Sequence, residues 1–203
     1  MGKIELIQQA IDRAERLESK LTPKQFEIGG FTGEKIRHLL NNLGEISTNY
    51  LEIGVLFGST FVAANYGNNF NTSIAIDSFV EFNEDKTAKK QFINNAADLR
   101  YILLDQDCWT VPVPFTDPID FYTFDGAHDF LSQEKALTYF KDAMADEFIF
   151  CLDDANWPEV INGTRSGIEK AGLQILAFWE LGPHDVGNGG GFWNGFHVYL
   201  LKK

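Results

Sequence analysis

Apolar positions along the chain follow two rhythms. Residues 3–20 place Ile4, Ile7, Ile11, Ala14 and Leu17 at helical spacing among charges, which predicts an amphipathic helix. Thr22-Pro23 stops that pattern, and "FEIGGFTG" reads as a loop. From Thr32, "TGEKIRHLLNNLG" resumes helical spacing, with Thr32 as a cap and Gly44 as a stop. The rhythm then changes to strand-like runs at 49–54, 73–77, 100–104, 121–125, 147–152, 174–180 and 196–201. Helical stretches at 58–66, 84–98, 132–143 and 158–171 alternate with these runs, whereas 106–119, with Pro112, Pro114 and Pro118, is irregular.

Strands alternating with helices imply parallel strands joined by right-handed crossovers, hence an open α/β sheet. The last two strands are joined only by the loop 182–194, so they should pair antiparallel. No repeat or linker divides the 203 residues, and the expectation is one domain over 1–203. A formal net charge of −12 argues against a nucleic-acid partner, because phosphate contacts need Lys or Arg. No apolar run is long enough to cross a bilayer, and residues 1–20 lack the apolar core of a signal peptide. Cys108 and Cys151 are too few and too separated for a disulfide framework or a zinc site. The expectation is a cytoplasmic protein acting on a small molecule, with no membrane partner.

Two stretches carry chemistry. "YLEIGVLFGST" ends a strand in Glu52-Ile53-Gly54 and adds Gly58, Ser59 and Thr60 where a helix should begin. Bare backbone there lets a ligand approach the main chain and the free N–H groups of the following helix. Leu56 stands where a dinucleotide fingerprint has its middle glycine, so the loop lacks a pyrophosphate turn. Asp77 closes the second strand, 23 positions after Gly54, where a carboxylate can accept both hydroxyls of a ribose. A helix cap at Asp77 and a plain turn at Gly54 are the alternatives; taken together, the two residues point to an adenosine ligand without a pyrophosphate.

The second stretch pairs "FYTFDGAHDF" with "FIFCLDDANW". Asp125 ends the fourth strand, and Asp153 and Asp154 end the fifth, a neighbouring strand about 4.8 Å away. Three carboxylates at adjacent strand ends repel one another unless protonated or bridged by a cation. Oxygen ligands without cysteine suit Mg²⁺ or Mn²⁺. Turn and cap roles remain open for each acid alone.

These motifs resemble class I S-adenosylmethionine (SAM)-dependent methyltransferases. "YLEIGVLFGST" followed by "IAIDSF" is similar to their first two motifs, and the match covers roughly 26–203. The resemblance implies a Rossmann-like, doubly wound, mostly parallel seven-stranded sheet, order 3-2-1-4-5-7-6, last strand antiparallel, with helices on both faces. It implies SAM held by Glu52, Gly54, Gly58, Ser59, Thr60, Asp77, Ser78 and Asp125, and adenine contacts in "LLDQDCW", namely Asp107, Cys108 and Trp109. "IGGFTGEKI" is similar to the segment that closes over the cofactor, so 1–31 would be an N-terminal helix and lid, and by analogy a dimer contact.

The acids resemble those of metal-dependent O-methyltransferases of the catechol and macrocin types. Asp125, Asp153 and Asp154 would hold Mg²⁺, Asp125 would share in catalysis, and His128, three positions after Asp125, would be a general base as in the sugar-modifying branch. A hydroxylated acceptor, a sugar or other polyol, would bind near the loop 182–194, where His184, Phe192 and Trp193 are rim candidates. Two other readings compete: a SAM-binding module without turnover, and a NAD-linked oxidoreductase, which "GVLFGS" disfavours.

Overall fold

The computed structural model describes residues 2–81, 87–182 and 191–203. Three helices come first: α1 (Lys3–Glu15), α2 (Pro23–Phe26) and α3 (Glu34–Glu45). The sheet begins with β1 (Asn49–Ile53), α4 (Ser59–Asn65), β2 (Thr72–Asp77), α5 (Ala88–Asn95) and β3 (Ile102–Asp105). It continues with β4 (Ile119–Phe124), α6 (Phe130–Phe140), β5 (Met144–Leu152), α7 (Pro158–Lys170), β6 (Gln174–Leu181) and β7 (Phe196–Lys202). The strand order is β3-β2-β1-β4-β5-β7-β6, with β7 antiparallel to both neighbours, as expected.

Alternation along the strands builds a core on each face. Tyr50, Ala75, Phe121, Ile149 and Val198 pack under α1, α3, α4 and α5. Leu51, Ile74, Tyr122, Phe150 and Tyr199 face the other way, against α6 and α7. The apolar stripe of α1 (Ile7, Ala10, Ile11 and Ala14) is buried within this chain, in the same cluster as α3. Among the described residues, no helix is long and apolar enough to cross a membrane.

Several boundaries differ from the sequence pattern for identifiable reasons. α1 stops at Glu15 rather than residue 20, because Leu17 turns left-handed (φ 57°). Glu18 N–H then bonds to the Arg13 carbonyl (2.9 Å) and Leu17 N–H to that of Ala14 (3.0 Å), a Schellman closure built without glycine. Thr22-Pro23 starts a short helix instead of only ending one. Thr22 donates through N–H (3.0 Å) and O–H (2.8 Å) to Gln25 Oε1, and proline is tolerated at the first helical position. β5 begins at Met144, three residues early, because α6 runs through a 3-10 turn (Lys141–Ala143) directly into the strand.

Where β1 ends, two details fix the chain's path. Gly54 has φ 86° and lies so close to the end of β4 that a Cβ there would sit 1.9 Å from the Asp125 carbonyl oxygen. Beneath it, Glu52 is completely buried, with its carboxylate accepting from the Thr60 hydroxyl (2.5 Å) and the Tyr50 phenol. That pair of bonds ties β1 to the first turn of α4. Burial pushes the Glu52 pKa up to about 8, against the pull of the Thr60 and Tyr50 hydrogen bonds.

Two tests follow. Gly54→Ala combines left-handed strain with a backbone clash, and should lower the urea-unfolding free energy by about 2–4 kcal/mol; a loss below about 0.5 kcal/mol would contradict the packing described. Glu52, with its folded pKa above its unfolded value, contributes full stability below the unfolded pKa and loses it as pH rises towards about 8. Unfolding free energy should therefore carry a component falling by up to about 1.4 kcal/mol per pH unit between pH 5 and 8. Glu52→Gln should flatten that component; equal slopes in both proteins would refute the assignment.

Candidate active site

A cavity of about 710 Å³ opens beyond the carboxyl ends of β1, β2, β4 and β5. This is the side on which ligands bind in open α/β sheets, near the point where strand order reverses between β1 and β4. Gly54, Ser59, Thr60, Asp77, Ser78, Asp107, Cys108, Trp109, Asp125, His128 and Asp154 all line it. Three of the residues expected to hold the cofactor or a metal do not. Glu52 is committed to Tyr50 and Thr60 beneath the floor. Gly58 turns left-handed (φ 90°) ahead of α4 and packs against Phe92. Asp153 is buried away from the cavity.

At the β1–β2 end of the cavity, Asp77 holds the glycine loop in place. Its Oδ2 accepts from Leu56 N–H (2.8 Å) and its Oδ1 from Phe79 N–H (2.6 Å). Leu56 itself takes φ 42°, so this single loop contains left-handed backbone at 54, 56 and 58. Across the cavity, Asp107 caps a 3-10 turn by accepting from Trp109 N–H (3.0 Å). Burial, helped by the Asp107 charge, pushes the Cys108 thiol up to about 12, so it is a neutral wall residue. The Trp109 ring is fixed by Tyr139, edge-on at 5.9 Å, and by the Lys135 ammonium 4.4 Å above it.

At the other end lies the acidic constellation. Asp125 follows β4, His128 follows it in the loop before α6, and Asp154 stands after β5 with φ 51°. One ligand-type atom from each of the three lies within 4.8 Å of the others. His128 Nε2 is 2.9 Å from Asp154 Oδ2 and 3.5 Å from Asp125 Oδ1. It is buried and makes a properly directed hydrogen bond to neither. With its ring protonated, His128 forms an ion pair with both carboxylates; with the ring neutral, the three atoms offer one lone pair each to a common point. Two carboxylate oxygens suit a divalent cation of the Mg²⁺ or Mn²⁺ kind, and an added imidazole nitrogen favours Mn²⁺ of the two.

Of the three acids read from the sequence as metal ligands, Asp125 and Asp154 fall in this cluster with His128, and Asp153 does not. Asp153 Oδ1 accepts the Asp154 N–H (2.9 Å). Burial, and then the charges of Asp125 and Asp154, push its carboxyl well above the usual range. Burial likewise raises Asp125, to about 6. Burial would lower the His128 pKa, but the two adjacent carboxylates outweigh it and raise it to about 10.

Other residues complete the wall. Gly30, Phe31 and Thr32 cross one side of the mouth, and a Cβ on Gly30 would sit 2.1 Å from Ser59 Oγ. Val80 and Trp157 are exposed at the rim, the latter edge-on to His128 at 5.2 Å. Pro158, at the first position of α7, is the sequence signal that puts Trp157 in the ligand-side loop. Trp193 lines the cavity together with Asn194, whereas Phe192 is buried in the core. His184 and most of the 182–194 loop lie outside the described residues.

No protein-family model and no curated protein matches the chain. Among solved structures it is similar to a SAM-dependent methyltransferase from Leishmania major, with TM-score 0.58 and 12% identity over 97% of this chain and 83% of that one. It is also similar to the O-methyltransferase TomG from Streptomyces achromogenes, involved in tomaymycin synthesis and solved with SAM. There the TM-score is 0.56 and the identity 17%, over 96% of this chain and 90% of that one. A third is magnesium protoporphyrin IX methyltransferase from Synechocystis with bound SAM: TM-score 0.56, 10% identity, 100% of this chain and 86% of that one. Identities this low speak to architecture, and with the strand order they show that the chain has the Rossmann-like methyltransferase fold.

Proposed function

We propose that the protein transfers a methyl group from SAM to a hydroxyl of a small acceptor, a sugar or other polyol, with Mg²⁺ or Mn²⁺ held by Asp125, His128 and Asp154. One observation carries this reading: the ligand-type cluster opens into the same cavity as the glycine loop and Asp77. The volume, about 710 Å³, is within the range of small-molecule sites.

Each end of the cavity has a distinct task. Each Asp77 oxygen uses one lone pair on a backbone N–H and keeps another for a ribose hydroxyl. Trp109, held by Lys135 and Tyr139, offers an aromatic wall for adenine. Asp125 and Asp154 supply two anionic oxygens, and His128 a ring nitrogen. A cation bound there would lower the pKa of an acceptor hydroxyl. Trp157 and Trp193 border the space where the acceptor would lie, and orienting it against the methyl donor is a large share of the expected rate gain.

Geometry favours His128 as a ligand over the general-base role implied by resemblance. Its Nε2 lies 2.9 Å from Asp154 Oδ2 and 3.5 Å from Asp125 Oδ1, so the atom that would take the acceptor's proton already faces the two carboxylates. As a ligand its Nε2 is neutral and engaged, so it has no lone pair left for the acceptor's proton.

Calorimetry with S-adenosylhomocysteine and with NAD, each with and without Mg²⁺, tests donor and cation together. S-adenosylhomocysteine should bind and NAD should not. Asp154→Ala should reduce methyl transfer by about 100-fold or more while changing S-adenosylhomocysteine affinity by less than about threefold. NAD binding as tight as S-adenosylhomocysteine would defeat the donor assignment, and full transfer by Asp154→Ala would defeat the cation assignment.

A further inference from the structure

The segment ahead of β7 reaches into the cluster through one side chain. Asn194 Nδ2 lies 2.6 Å from Asp154 Oδ1, while the other oxygen, Oδ2, is the one 2.9 Å from His128 Nε2. A carboxylate can only accept, so the amide must present its N–H₂ side, which fixes its orientation. The backbones of the same two segments are tied together. Ala155 N–H donates to the Gly195 carbonyl (3.1 Å) and Asn156 N–H to the Asn194 carbonyl (2.9 Å). Gly195 N–H closes the turn on the Phe192 carbonyl (3.0 Å). Asp154 and Asn194 are both left-handed, at φ 51° and 59°, a conformation Asp and Asn reach more readily than most residues. Asn194 Oδ1 is buried without a partner, so the amide's hydrogen bonding among the described residues is spent on Asp154.

We propose that Asn194 is a positioning residue: by holding Asp154 Oδ1 it turns Oδ2 towards His128 and the cation position. The inference rests on the cation reading above and adds a residue from a distant part of the chain. Partners of this kind orient a ligand and raise its affinity for the metal without touching it.

The test is Mn²⁺ titration of the full chain, followed by the paramagnetic signal of free Mn²⁺, with S-adenosylhomocysteine calorimetry and thermal unfolding alongside. Asn194→Gly removes the amide and accepts the positive φ without strain. It should weaken Mn²⁺ binding by about 10–100-fold and leave S-adenosylhomocysteine affinity within about twofold. Asn194→Ala should show the same loss with a modestly lower Tm, and serves if the glycine variant does not fold. In an Asp154→Ala background, Asn194→Gly should have no further effect, because the residue acts through Asp154. Both Asn194 variants binding Mn²⁺ like the parent while Asp154→Ala does not would overturn this inference alone. So would an undiminished Asn194→Gly loss in the Asp154→Ala background. A parent protein that does not bind Mn²⁺ would overturn the cation reading and this inference with it.

Discussion

The close approach of Gly54 to the Asp125 carbonyl, with no room for a Cβ between them, is the contact on which the rest of the site depends. Gly54 N–H bonds to the Ile76 carbonyl (2.9 Å) and Asp125 N–H to that of Ile53 (2.9 Å), so the ends of β2, β1 and β4 are locked together. That lock sits beside the reversal of strand order, where α/β sheets leave a crevice. It sets the distance between the glycine loop and the acids, and hence between the two ends of a ligand spanning them.

Acidic side chains are concentrated around that crevice, and the protein sorts them by what solvates them. Glu52 is satisfied by two hydroxyls, and Asp77 by two backbone N–H groups. Asp153 takes one N–H, and burial keeps it protonated well beyond the ordinary carboxylate range. These three shape the backbone. Asp125 and Asp154 are left facing His128 without well-directed hydrogen bonds to its Nε2, and Asn194 takes the outer oxygen of Asp154. An acidic cluster is costly unless something positive is shared among its members. The ring of His128, when protonated, or a divalent cation in its place would supply that charge.

The antiparallel last pair could be read from the helix-free connection before it, whereas strand order and the gathering of Asp77, Asp125 and Asp154 at one end of the sheet followed from the resemblance to a recurring topology. What could not be read depends on backbone reversals and long-range contacts. Leu17 ends α1 in a conformation usually marked by glycine, so the helix looked longer than it is. Asp153 and Asp154 are adjacent and chemically alike, and the one that lines the cavity is the one at the left-handed turn, Asp154. Glu52 looked like a ligand contact because nothing local announces Tyr50 and Thr60 as its partners. Asn194 is 40 positions from Asp154, and an Asn-Gly pair announces a turn but not whom its amide will meet.

The account turns on whether Asp125, His128 and Asp154 together hold a cation within reach of the donor site. A crystal of the protein grown with S-adenosylhomocysteine and Mn²⁺, with data collected near the manganese absorption edge, tests that directly. The prediction is one strong anomalous peak bonded to Asp125, His128 Nε2 and Asp154 Oδ2, with Asp153 uncoordinated. A cation bound through Asp153 with His128 turned away, or no peak at this cluster in a crystal that holds S-adenosylhomocysteine, would contradict it.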